Sequence, residues 1–208
     1  MLAIANIQRI PSDQLVVAFG GVRHGYGGIK GEFRQSLGKL GSAAVFVRDD
    51  GCRWYQYGPE ELQPIFDQIQ AVKAELGARR LVCLGNSMGG FGALLFGQRL
   101  GADAILSFVP QTAIDPEVTT ALGDDRWAAY QENIPAYPHG DLLKEPPAAG
   151  RVVMCWGAKD PLDSAHAERI ADAWKVEPVV IRSVGHDAAF ELREKGRLLP
   201  LLESVIGG

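Results

Sequence analysis

The amino-acid sequence predicts an α/β protein, a mostly parallel twisted sheet of about six to seven strands with helices on both faces. Short apolar runs alternate with longer stretches of helical periodicity along the 208 residues. Most of these runs are continuous rather than alternating, as strands covered on both faces must be. Glycine-rich junctions follow several runs at once, where an open parallel sheet gathers its ligand-facing loops.

The strands fall at 15–19, 43–48, 80–84, 103–108, 151–156 and 178–182, with 2–10 the weakest of the set. The best helix is 59–76, in which Leu62, Ile65, Phe66, Ile69, Val72 and Leu76 recur at helical spacing and Gly77 follows as a stop. Pro64 must either kink it or open the regular helix after a separate first turn. Further helices are expected at 88–100, 163–174 and 188–206, the last interrupted by Gly196 and Pro200. Residues 110–150 break the rhythm with Pro110, Pro116, Pro135, Pro138, Pro146 and Pro147, leaving one short helical stretch at 124–131. This segment reads as a small lid or rim on a single domain spanning 1–208.

Composition narrows the function. Hydrophobic residues make up 47 % and charged residues 22 % of the chain, which is ordinary for a globular protein. A formal charge of −4 gives no basic field to hold nucleic acid or an anionic membrane. The three cysteines have neither zinc-site nor redox-pair spacing, and Cys83 and Cys155 lie inside apolar runs, as reduced buried thiols do. Residues 1–10 lack a secretory pattern and no stretch reaches membrane-spanning length, so the expectation is a cytoplasmic protein.

The junctions after the strands carry the chemistry. Gly85-Asn86-Ser87-Met88-Gly89-Gly90 lies directly between a strand and a helix. A serine on so tight a turn is exposed at the top of the sheet, with the Met88 N–H at the helix start beside it. A glycine-rich turn serving only close packing would share the spacing. Gly157-Ala158-Lys159-Asp160-Pro161-Leu162-Asp163 follows a later strand, and Asp160 is nearer the strand end. Asp163, followed by Ser164 and a helical pattern, looks more like an N-cap. Val184-Gly185-His186-Asp187 follows the last strand and offers an imidazole able to reach back over the sheet.

The order Ser87, Asp160, His186 is that of the triad in the α/β-hydrolase superfamily, which the chain resembles from about residue 15 to residue 206 through these motifs. The resemblance implies the α/β-hydrolase fold, with Ser87 as nucleophile, His186 as general base then acid, and Asp160 as its orienting partner. It implies a serine hydrolase of an ester or thioester working through an acyl-enzyme, with no cofactor and no metal. The alternatives are an acyltransferase using the same triad and an inactive binding protein on the same fold. The loop Phe19-Gly20-Gly21-Val22-Arg23-His24-Gly25 lacks the His-Gly pair many relatives carry, which leaves the second oxyanion donor open between Gly21 and Val22. The glycines from Gly20 to Gly31 match no phosphate-loop spacing. Arg23, His24, Arg48 and Trp54 fall in loops expected at the site mouth, a mixture that suits a small polar or anionic acyl substrate.

Overall fold

A computed structural model of the chain describes residues 1–23 and 31–208. Its seven strands are β1 (Leu2–Gln8), β2 (Gln14–Phe19), β3 (Ala43–Asp49), β4 (Arg80–Asn86), β5 (Ala104–Phe108), β6 (Arg151–Gly157) and β7 (Glu177–Ile181). They form one sheet in the order β1-β3-β2-β4-β5-β6-β7. β1 runs antiparallel to β3 and every other pairing is parallel. The chain steps from β2 to β3 on one side, then crosses to β4 on the other side of β2. The strand succession therefore reverses between β2 and β4, the place in an open α/β sheet where the ligand crevice is expected. The middle strands are buried beyond their first residues, which explains their unbroken apolar runs, whereas β1 is half-exposed along its whole length and correspondingly weak as a pattern.

The helices are α1 (Arg34–Lys39), α2 (Pro59–Glu75), α3 (Met88–Leu100), α4 (Pro116–Leu122), α5 (Ala128–Gln131), α6 (Pro161–Ala171), α7 (Ala188–Glu194) and α8 (Leu198–Ile206). α2 begins at Pro59 and runs through Pro64 without a second start, burying Leu62, Ile65, Ile69 and Val72. That apolar stripe outweighs the hydrogen bond that Pro64 removes. The stretch 188–206 divides at Gly196, whose φ of 66° only glycine adopts cheaply. Pro200 then falls in the first turn of α8, where no intrahelical N–H is required. The expected helix at 124–131 shrinks to α5, because the Asp124 carboxylate accepts from Arg126 N instead of extending a helix. Ahead of it, Asp115 caps α4 through Glu117 N, with Pro116 at the first helical position.

The loop after β3 is organised by one buried carboxylate. Asp49 Oδ1 accepts from Gly51 N at 3.1 Å and Tyr57 Oη at 2.6 Å, and its Oδ2 from Arg53 N at 2.8 Å and Tyr55 N at 3.0 Å. These bonds hold Cys52, Trp54 and Tyr55 at φ of 47°, 50° and 58°, a left-handed run of bulky residues that needs such support. No helix among the described residues is long and apolar enough to cross a membrane.

Candidate active site

Ser87 sits between β4 and α3 at φ 56° and ψ −120°. Its N–H donates to Phe108 O at 2.8 Å and its carbonyl accepts from Phe91 N at 3.1 Å, so the strained residue is pinned on both sides. The flanking glycines are required by space. A Cβ on Gly85 would lie 1.9 Å from Gly89 O, and one on Gly89 would lie 2.2 Å from Phe19 O. The spacing Gly-x-Ser-x-Gly is thus the sequence trace of strand, helix and neighbouring loop meeting at backbone contact.

The loop after β7 brings His186 over the sheet. It packs against the end of β6, where a Cβ on Gly157 would meet Val184 O and Gly185 O at 2.2 Å. His186 Nε2 lies 3.1 Å from Ser87 Oγ. His186 Nδ1 lies 2.8 Å from Asp163 Oδ2 and 3.0 Å from Oδ1. A carboxylate only accepts, so the proton belongs on Nδ1, leaving the Nε2 lone pair to face the serine hydroxyl.

The acid beside His186 is therefore Asp163 and not Asp160, which exchanges the two expected roles. Asp160 is the N-cap of α6: its Oδ1 accepts from Leu162 N at 2.9 Å and Asp163 N at 3.0 Å. Pro161 at the first helical position starts the helix immediately after it, a signal present in the sequence as Asp-Pro. Asp163, within the first turn of α6, points inward with a fully buried side chain.

Asp163 is held from its other side by a residue that sequence reasoning missed. Arg126 donates through Nη1 to Asp163 Oδ1 at 2.9 Å and to Asp160 Oδ2 at 3.1 Å. The rest of its guanidinium engages Asp124, through Nε to Oδ1 at 2.9 Å and Nη2 to Oδ2 at 2.7 Å. His166 completes the cluster. Its Nδ1 accepts from Thr112 N at 3.1 Å, so its Nε2 carries the proton donated to Asp124 Oδ2 at 3.0 Å. Burial works against the charge on Asp124, but the hydrogen bonds from Arg126 and His166 prevail and hold its carboxyl well below the usual carboxylate range. Burial likewise opposes the Arg126 charge and is outweighed by its carboxylates, which raise it further. Asp160, Asp163 and His186 bring three ligand atoms within 4.8 Å of one another, as a cation would need. Arg126 already donates to both carboxylates, so they have a positive charge between them and fit an ion poorly.

On the opposite wall Met88 opens α3, whose first N–H groups have no intrahelical partner. The Gly21 N–H donates to Glu32 Oε2 at 3.0 Å and is engaged, and Val22 follows it half-buried. Arg23 is exposed beside it, and His24 lies outside the described residues. Arg48 is not gathered into the site. It stands on β3 opposite Ala3 of β1, with Nη2 donating to Asp50 Oδ2 at 3.0 Å. Trp54 is fully buried and so cannot line the mouth as expected. It reaches the site indirectly, its Nε1 donating to Gln111 Oε1 at 3.2 Å, and the same oxygen lies 3.5 Å from Ser87 Oγ. Because an indole N–H only donates, Trp54 fixes which end of the Gln111 amide faces the serine. Trp127, next to Arg126, sets its ring 6.0 Å from that of His186.

No protein-family model and no curated protein matches this chain. Solved structures do. The proline iminopeptidase of Mycobacterium smegmatis aligns with a TM-score of 0.59 at 15 % identity, over 98 % of this chain and 94 % of that one. The capsule O-acetyltransferase of Neisseria meningitidis serogroup A gives a TM-score of 0.64 at 15 % identity, over 97 % and 90 %. A hyperthermophilic esterase from the archaeon Pyrobaculum calidifontis gives a TM-score of 0.64 at 15 % identity, over 96 % and 78 %. With this likeness running along nearly its whole length, and its strand succession reversing between β2 and the β4 that leads to Ser87, the chain has the α/β-hydrolase fold.

Proposed function

We propose that the chain is a serine hydrolase that cleaves an ester or thioester through an acyl-enzyme. The observation that carries this reading is the continuous line from Ser87 Oγ to His186 Nε2 at 3.1 Å and from His186 Nδ1 to Asp163 Oδ2 at 2.8 Å. As His186 takes its proton, Ser87 Oγ forms a bond to the substrate carbonyl carbon, and the carbonyl electron pair moves onto oxygen. The Met88 N–H and the Val22 N–H receive that oxyanion. Collapse expels the alkoxide or thiolate, which takes the proton from His186. Water, deprotonated by His186 in turn, attacks the acyl-serine, and the acid leaves as Ser87 regains its proton. Asp163 keeps Nδ1 protonated throughout and balances the imidazolium. Arg23, exposed beside Val22, suits a small substrate bearing an anionic group.

A second reading, transfer of the acyl group to a bound hydroxyl in place of water, is favoured by the likeness to the capsule O-acetyltransferase. Both readings require a reactive Ser87. A fluorophosphonate probe followed by peptide mass analysis should place the label on Ser87, and Ser87→Ala should abolish it; an unlabelled Ser87 in folded protein overturns both. Incubation with p-nitrophenyl acetate, with and without sugar alcohols as acceptors, then separates them. Acetate formed without acceptor supports hydrolysis, and an acetylated product formed only with acceptor supports transfer.

A further inference from the structure

The geometry points to Arg126 as a positioning residue that holds Asp163 in the orientation His186 requires, so that the 110–150 segment supplies the outer support of the triad. The inference rests on the reading of Ser87, His186 and Asp163 given above. Asp163 has a fully buried side chain, and its two oxygens must both be occupied for burial to be tolerated. His186 Nδ1 takes Oδ2 at 2.8 Å and stays 3.0 Å from Oδ1, so it alone leaves the carboxylate free to rock about its Cβ–Cγ bond. The Arg126 Nη1 bond to Oδ1 at 2.9 Å removes that freedom.

Arg126 is itself immobilised. Its guanidinium makes a two-point contact with Asp124, and Asp124 is seated by His166, whose other nitrogen is fixed by the Thr112 backbone. The order of support runs from the backbone after β5 through His166, Asp124 and Arg126 to Asp163, and each contact is between buried or half-buried groups with a defined donor. Asp160 joins the same guanidinium through Oδ2 while its Oδ1 caps α6, so the first turn of that helix is anchored by the same cation. A guanidinium suits this place because one planar group can reach three carboxylates at fixed angles, which an ammonium cannot.

Three variants test the assignment: Arg126→Ala, Arg126→Lys, and the double variant Asp124→Asn/Arg126→Gln. The double variant removes a carboxylate together with the cation and so keeps the charge balance if the alanine protein fails to fold. Two readouts are taken on each. The first is the second-order rate of fluorophosphonate labelling at Ser87, with kcat and KM for p-nitrophenyl acetate. The second is the downfield proton resonance of the His186 Nδ1–H, assigned by its loss in His186→Gln, which needs no turnover.

Expected are a fall of about 10- to 100-fold in labelling rate and kcat with KM little changed, a smaller loss in Arg126→Lys, and a displaced or broadened Nδ1–H resonance. Millimolar guanidinium should restore part of the labelling in Arg126→Ala. Folded variants that label at the wild-type rate with an unmoved resonance overturn the role of Arg126 and leave the proposed hydrolase standing. A wild-type protein that shows no labelling overturns the hydrolase instead, and the resonance still decides whether Arg126 positions Asp163.

Discussion

Replacing each aspartate of the β6–α6 junction by asparagine should separate a catalytic role from a helix cap. In Asp163→Asn the side chain keeps its shape, but its amide now presents a donor or a weaker acceptor to His186 Nδ1, 2.8 Å away. If the amide donates, the imidazole proton moves to Nε2 and the lone pair facing Ser87 is lost. The equivalent change in a serine triad lowers kcat about 10⁴-fold, or roughly 5.5 kcal/mol at 1.36 kcal/mol per factor of ten. In Asp160→Asn the amide oxygen can still accept from Leu162 N and Asp163 N; its nitrogen forfeits the Arg126 contact, but Arg126 keeps Asp124 and Asp163, so activity should fall less than tenfold. Asp160→Ala removes the cap and should lower stability by about 0.5–2 kcal/mol. The assay is p-nitrophenyl acetate turnover paired with urea unfolding of the same preparations. An inactive Asp160→Asn beside an Asp163→Asn within tenfold of wild type would refute the assignment of the acid.

Three further outcomes are expected. Gly89→Ala puts a methyl group 2.2 Å from Phe19 O and should destabilise by about 3 kcal/mol or more in urea titration, or yield no folded protein. Asp49→Ala leaves the loop donors Gly51 N, Arg53 N and Tyr55 N and the Tyr57 hydroxyl without their acceptor, so unfolding free energy should drop by at least about 3 kcal/mol. Asp124 has its native carboxyl below the usual range, so the stability it contributes is complete above about pH 5 and is lost as pH falls below about 4. The gap in stability between wild type and Asp124→Asn should accordingly be widest near neutrality and shrink on acidification.

The sheet, the long helix α2 and the turn at Ser87 were legible because each is written locally. Apolar runs mark buried strands, a stripe at helical spacing marks α2, and the glycines around Ser87 mark backbone contact that no side chain permits. Which aspartate meets His186 is hidden for a local reason too: Asp160 is closer to the strand, but Pro161 commits it to capping, and the first turn of helix carries Asp163 inward. Arg126 left no trace of this kind. Beyond nearby Asp124, its partners Asp160 and Asp163 lie 34 and 37 positions away, and Arg126 itself sits in a segment whose prolines advertise only irregularity. Trp54 is buried because the Asp49 carboxylate gathers the loop around it into a left-handed run, a three-dimensional closure that the residue types do not spell out, and its own partner, Gln111, lies 57 positions away.

The sheet ends on β1 and β7, and each border bears a mark that makes it a poor template. The pairing of β1 with β3 slips between Ile4 and Asn6, so the outer strand is bulged and its free groups fall out of step. On β7 the second residue is Pro178, which has no N–H to offer, and Val180 stands exposed beyond it. A sheet that meets solvent this way resists edge-to-edge growth with a second copy, so high concentration alone should not drive fibril formation. Pro178→Val would give that border a donor and a flat apolar face together, turning a solubility safeguard into a seam for polymerisation.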